Sequence, residues 1–162
     1  MLAVLLWAGI ARADAVRVGD PLPDLTLADA HGRPVALVTL RGRVVCLDFW
    51  ASWCGHCKTA LPALDAVARR HAARGLTVVA VNVDQSRAPA DRFLAERLPD
   101  PALTLLYDPD ARALARFAPA GMPALYLVDP AGTVRLVEAG YDPTRLGEIE
   151  RAIERALEAA GR

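Results

Sequence analysis

Apolar residues fall along this chain in short blocks of two different periods. Between Val18 and Leu40 they alternate with polar residues and turn formers. Leu25-Thr26-Leu27 and Pro34-Val35-Ala36-Leu37 flank Ala30-His31-Gly32-Arg33, which predicts a β-hairpin. After a break at Arg41-Gly42, the run Val44-Val45-Cys46-Leu47-Asp48-Phe49 is apolar almost throughout, the pattern of a strand buried on both faces. The period then lengthens. Leu61, Leu64, Val67, Ala68 and His71 share one stripe of a helix that begins after Cys54, with Pro62 as an internal kink and Gly75 as its C′ residue. Leu76 to Val83 returns to a Val-rich buried strand.

Asp84 to Ala120 reads as helix, strand and helix: Pro89 to Leu98, Leu103 to Tyr107, and Ala111 to Phe117 opened by Asp108 or Asp110. Ala124 to Val128, the turn Asp129-Pro130-Ala131-Gly132, and Thr133 to Glu138 form an antiparallel hairpin. Leu146, Ile149, Ile153 and Leu157 stripe a terminal amphipathic helix starting near Pro143. No repeat or linker interrupts the pattern. Strands alternating with helices, closed by a hairpin and a helix, predict an α/β fold with a central mixed β-sheet flanked by helices on both faces.

The first fifteen residues stand apart. Leu2 to Ile10 is almost wholly apolar but too short to span a bilayer, which takes about 20 residues. Ala13-Asp14-Ala15 has the small-x-small pattern of a signal-peptidase site, although no Lys or Arg precedes the apolar run. Residues 1–15 are therefore expected to be a signal peptide, or the remnant of a membrane anchor, and residues 16–162 a single domain. A length of 162 residues suits one core. The 19 basic and 19 acidic residues balance without long runs of one sign, which argues against nucleic acid or an anionic membrane surface as the main partner.

Three cysteines are too few, and odd in number, for a disulfide-stapled scaffold. Two of them, Cys54 and Cys57, lie where a strand ends and a helix begins. Residues three apart on a first helical turn share one side, so their sulfurs can reach disulfide distance. The first sulfur also meets unpaired backbone N–H groups and the positive end of the helix dipole, which favour a thiolate. A thiolate is the attacking species in disulfide exchange, and the second cysteine, one turn in, resolves the mixed disulfide. A zinc site needs four ligands; only Cys46, His31, His56 and His71 remain as candidates, with no second cysteine pair. Haem attachment needs His directly after the second cysteine, where Lys58 stands. An inert disulfide stays open. Asp48 sits in the apolar strand, six residues before Cys54. Burial there is costly without a task, and it raises the carboxyl pKa, making Asp48 a candidate acceptor for the Cys57 proton. A solvated strand-end Asp is the alternative. No nucleotide loop, flavin motif or metal-binding His pair appears, so no cofactor or metal is expected and the redox equivalents come from another protein.

The segment from Val45 to Lys58, centred on Trp53-Cys54-Gly55-His56-Cys57-Lys58, resembles the active-site segment of thioredoxins. The resemblance implies a thioredoxin fold, with Asp48 buried beneath the second cysteine and Pro62 as the family's helix-kinking proline. Gly121-Met122-Pro123 resembles the loop that carries the family's cis-proline, which implies a cis Pro123 and a Met122 backbone that pairs with an extended partner strand. Trp53, beside the nucleophile, would shape the partner surface; Trp50 and Cys46 read as core.

Val18-Gly19-Asp20-Pro21-Leu22-Pro23-Asp24-Leu25, the N-terminal hairpin and the inserted helix-strand-helix segment resemble the TlpA/ResA branch over roughly Val18 to Leu157. That branch comprises exported bacterial thiol-disulfide oxidoreductases, often tied to cytochrome maturation or copper delivery to oxidases. It implies a location in the periplasm or cell envelope, protein thiols and disulfides as substrates, and a membrane or periplasmic redox partner; a monomer is expected, although no oligomer interface is readable in the chain. Three positions depart from it: Asp48 where Asn is frequent, Gly55-His56 where Pro or Glu is frequent, and Ala124 where Thr is common. The Gly-His pair resembles protein disulfide isomerase instead. A protonatable His56 favours the Cys54 thiolate and makes the disulfide more oxidising, which leaves the oxidase or isomerase direction open, while the TlpA/ResA resemblance favours the reductase direction. Two alternatives complete the expectations. A peroxiredoxin-like thiol peroxidase normally has Thr three residues before the reactive cysteine, where Ala51 stands. A metal- or haem-handling module would use the same two cysteines.

Overall fold

The structure is a computed structural model that describes residues 15–161. Apart from Ala15, the expected export segment lies outside the described residues. Among the described residues the strands are β1 (Thr26–Asp29), β2 (Pro34–Ala36), β3 (Val44–Trp50), β4 (Leu76–Asn82), β5 (Thr104–Tyr107), β6 (Ala124–Val128) and β7 (Val134–Ala139). The helices are α1 (Gly55–His71), α2 (Arg87–Arg97), α3 (Arg112–Phe117) and α4 (Leu146–Ala160). One mixed sheet runs in the order β2-β1-β5-β4-β3-β6-β7, the thioredoxin fold.

β3 sits between β4, parallel to it, and β6, antiparallel, and every one of its residues is buried. Side chains alternate across a strand, so β3 feeds two cores. Phe49 packs against Phe117 of α3 and Tyr126 of β6, with ring centroids 5.0 and 6.1 Å away. Trp50 points the other way and meets Phe93 of α2 at 5.7 Å. The connections β3-α1-β4 and β4-α2-β5 step across the sheet in the same direction, so right-handed crossovers put α1 and α2 on this second face. Arg70 and His71 of α1 tie α4 to the same side through Glu150, each at 2.9 Å. Cys46, Asp48 and Trp50 therefore lie under α1, α2 and α4.

Several boundaries differ from the sequence expectation, each for a physical reason. α1 continues through Pro62 to His71, and a 3-10 turn, Ala72–Arg74, separates it from Gly75, whose φ of +93° suits glycine. α2 starts at Arg87, two residues before Pro89; proline in a first helical turn gives up an N–H that has no intrahelical partner. The N-cap position of α3 is Ala111, and the side chain that satisfies the helix's first N–H groups is Asp108, not Asp110: its carboxylate accepts from Arg112 and Leu114, both at 2.9 Å. Thr133 forms an isolated antiparallel bridge with Pro21, its N–H held by the Asp129 carboxylate at 2.9 Å, and β7 begins one residue later.

Candidate active site

β3 ends at Trp50, and a four-residue turn delivers the chain into α1. The turn closes with Cys54 N–H donating to the Ala51 carbonyl at 3.2 Å. Cys54 is the N-cap of α1, in extended conformation, and its Sγ accepts from the Cys57 N–H at 3.2 Å. The two cysteines are disulfide-bonded, with Cα atoms 5.3 Å apart. Exposure separates them: Cys54 keeps 9% of its surface open and Cys57 none. An incoming sulfur reaches Cys54 first. Once the bond is reduced, the N–H that now points at Cys54 Sγ and the helix dipole both favour negative charge there.

The two residues between the cysteines are exposed. A Cβ at Gly55 would meet nothing within 4 Å, so packing does not demand glycine; its effect is to leave the surface beside Cys54 open. Trp53 is 68% exposed, unlike Trp50, which is fully buried. The Met122–Pro123 peptide bond is cis, and Pro123 is buried directly before β6. Ala124 pairs with Phe49 at the end of β3, which places the Met122 loop beside the redox turn. Trp53 and Met122 line one apolar groove, completed by Leu114, Ala118, Pro119 and Gly121.

Asp48 is 1% exposed, on the sheet face covered by α1, with Ala80 and Leu125 as its neighbours across the strands. Its Oδ2 has no hydrogen-bond partner among the described residues. Burial pushes its carboxyl well above the usual carboxylate range. Cys46 shares the face, is fully buried, and carries a free thiol. Burial, and secondly the Asp48 charge, push that thiol far up, so it stays protonated and unreactive.

Sequence reasoning missed a second buried carboxylate. Asp84 follows β4 and is 6% exposed. Its Oδ2 accepts from Ser52 N–H at 2.9 Å and from Asn82 Nδ2 at 2.7 Å, and its Oδ1 from the Ser52 hydroxyl at 2.9 Å. The available signal was two polar residues, Asn82 and Asp84, closing a Val-rich block. Among the described residues no group of three or more His, Cys, Asp or Glu is placed to hold a metal ion, and no helix is long and apolar enough to cross a membrane.

Residues 18–137 match the family described as the AhpC/TSA family. The chain is similar to the thiol-disulfide oxidoreductase ResA of Geobacillus thermodenitrificans, 31% identical over 78% of this chain and 71% of the relative. It is also similar to the thiol:disulfide interchange protein DsbE of Allochromatium vinosum, 32% identical over 86% of this chain and 78% of the relative. Among solved structures it resembles a Chlorobium tepidum protein named as a thiol:disulfide interchange protein DsbE. That match has a TM-score of 0.83 and 36% identity, and covers 88% of this chain and 99% of the other.

Proposed function

The chain belongs to the AhpC/TSA family and is a thiol-disulfide oxidoreductase, and from that premise we propose that it is an exported reductase of protein disulfides, of the ResA/DsbE type. Residues 1–15 serve as its signal peptide or anchor, residues 16–162 form the redox domain, and cytochrome maturation or oxidase assembly in the bacterial envelope is the process it serves. In the reduced enzyme the Cys54 thiolate attacks a partner disulfide. One partner sulfur leaves as a thiolate and the other stays bonded to Cys54. Cys57 then gives its proton to Asp48 and attacks the Cys54 sulfur. The second partner sulfur departs with the electron pair, two electrons have passed to the partner, and the Cys54–Cys57 disulfide is restored. A membrane or envelope redox protein returns the two electrons.

Trp53, Met122 and the cis Pro123 hold the partner segment against Cys54, while Gly55 and His56 set the ease of reduction. The observation that carries this reading is the asymmetry of the pair. Cys54 keeps a small exposed edge at a helix N-terminus, and Cys57 is sealed one turn in, on the side of the sheet that holds a raised carboxyl with a free oxygen. Thiol peroxidase chemistry is not favoured, because Ala51 stands where its activating Thr belongs. The test is the reduction potential of the couple in glutathione or dithiothreitol buffers. A value near or below about −270 mV supports the reductase; about −180 mV or higher supports an oxidase or isomerase. Absence of a reversible two-electron couple overturns the whole reading.

A further inference from the structure

The turn that carries Cys54 is not held by its own residues alone. Asp84 reaches across 32 residues of chain to take both the backbone N–H and the hydroxyl of Ser52. Asn82 orients that carboxylate through Nδ2 and receives the Asp84 N–H at 3.2 Å. Val83 N–H donates to the Trp50 carbonyl at 3.0 Å, and Asp108 N–H to the Asn82 carbonyl at 2.8 Å. The end of β4 thus grips the chain on either side of Ala51, and β5 is pinned to the same point. A buried carboxylate is retained at a cost unless its hydrogen bonds are met, and here three donors meet them.

We propose that Asp84 is a positioning residue for the nucleophile: it fixes the Ala51–Cys54 turn so that Cys54 Sγ stays over the Cys57 N–H, while its negative charge limits the thiolate fraction. The proposal rests on the reading of Cys54 as the attacking sulfur. One hydrogen bond and two residues of chain separate the carboxylate from Cys54, about 10 Å. At that range, in a partly solvated setting, one unit charge changes an ionisation equilibrium about two- to fourfold. The other charged or titratable groups around the turn are His56, Lys58 and, once reduced, the Cys57 thiol on α1, Asp48 on β3, and Asp110 at the approach to α3, which lines the same cleft as Asp84 and Trp53.

The test is the pH dependence of iodoacetamide alkylation of Cys54 in the reduced full chain, with the modified cysteine mapped by mass spectrometry. Asp84→Asn keeps the clamp, since its carbonyl oxygen still accepts from Ser52 and Asn82 and its amide donates to the Ser52 hydroxyl. Its midpoint is expected at lower pH, with two- to fourfold more thiolate below the midpoint. Asp84→Ala frees the turn, so its midpoint is expected above that of Asp84→Asn, with slower exchange on a small disulfide. Equal midpoints for the two variants overturn the positioning role, and a wild-type midpoint in Asp84→Asn overturns the charge effect. Should Asp84→Ala not fold, Ser52→Ala, which loses only the hydroxyl link, is expected to titrate above wild type; an unmoved midpoint there also overturns the proposal. Failure of the underlying reading is distinct: wild-type protein would then be alkylated first at Cys57 or Cys46.

Discussion

Replacing Asp48 by Asn should stabilise this protein while slowing it, and both effects follow from one buried carboxyl. Asp48 is 1% exposed, its Oδ2 lacks a partner among the described residues, and burial raises its pKa from an ordinary value of 3.8. Below about pH 3.8 the carboxyl is protonated in both folded and unfolded chains and its contribution to stability is fully present. As pH rises further, the unfolded chain releases the proton and the folded one does not. Stability then falls by about 1.4 kcal/mol per pH unit until the folded pKa is passed. The penalty at a given pH above the unfolded pKa therefore grows by about 1.4 kcal/mol for each unit by which burial raises the carboxyl. Asn has the same shape and does not titrate. Urea unfolding of the oxidised protein from pH 4.5 to 8 should show Asp48→Asn gaining on wild type as pH rises, with the gap narrowing towards pH 4. In the same variant the resolving attack by Cys57 should slow by about 100-fold or more at neutral pH, since its proton acceptor is gone, while alkylation of Cys54 is unchanged. A stability difference that stays flat across the pH range, or a variant less stable than wild type at pH 8, would refute the reasoning.

Three further predictions concern the packing and tuning of the site. Phe117→Ala removes the ring that meets both Phe49 and Tyr126 and should cost about 3–5 kcal/mol in urea unfolding; a loss below 1 kcal/mol would mean α3 does not seal that core. Asp108→Ala deprives Arg112 and Leu114 of their shared acceptor and should cost about 1–2 kcal/mol, with faster amide exchange confined to α3 and the groove beside Trp53. His56→Ala should lower the reduction potential, because an imidazole beside the helix start favours the thiolate of the reduced form; an unchanged or higher potential contradicts that role.

The fold was legible because the chain changes period where it changes element. β3 reads as a double-sided strand since both of its faces are covered, and the α1 stripe reads as a helix since one side alone is buried. The redox pair and Asp48 were legible for a different reason: a cysteine pair at a strand-to-helix junction and a lone carboxylate in an apolar run are both anomalies that burial must explain. What stayed hidden depends on contacts between distant segments. Choosing Asp108 over Asp110 as the acceptor for the first N–H groups of α3 requires the register of β5 against β4, where Asp108 N–H meets the Asn82 carbonyl. The clamp of Asp84 on Ser52 joins the end of β4 to the redox turn, and two polar residues closing a Val-rich block do not say which distant turn they grip. The start of α2 was misjudged by treating Pro89 as its first residue rather than as a member of the first turn.

The most direct test of the central claim is to trap the exchange intermediate. The Cys57→Ser variant, reduced and mixed with a cystine-containing peptide, loses its resolving sulfur but keeps Cys54 at the helix N-terminus. Peptide mapping by mass spectrometry should find one partner thiol disulfide-bonded to Cys54 in nearly every chain, with Cys46 unmodified. An adduct on Cys46, or no adduct while Cys54 remains free, would contradict the assignment of Cys54 as the attacking sulfur.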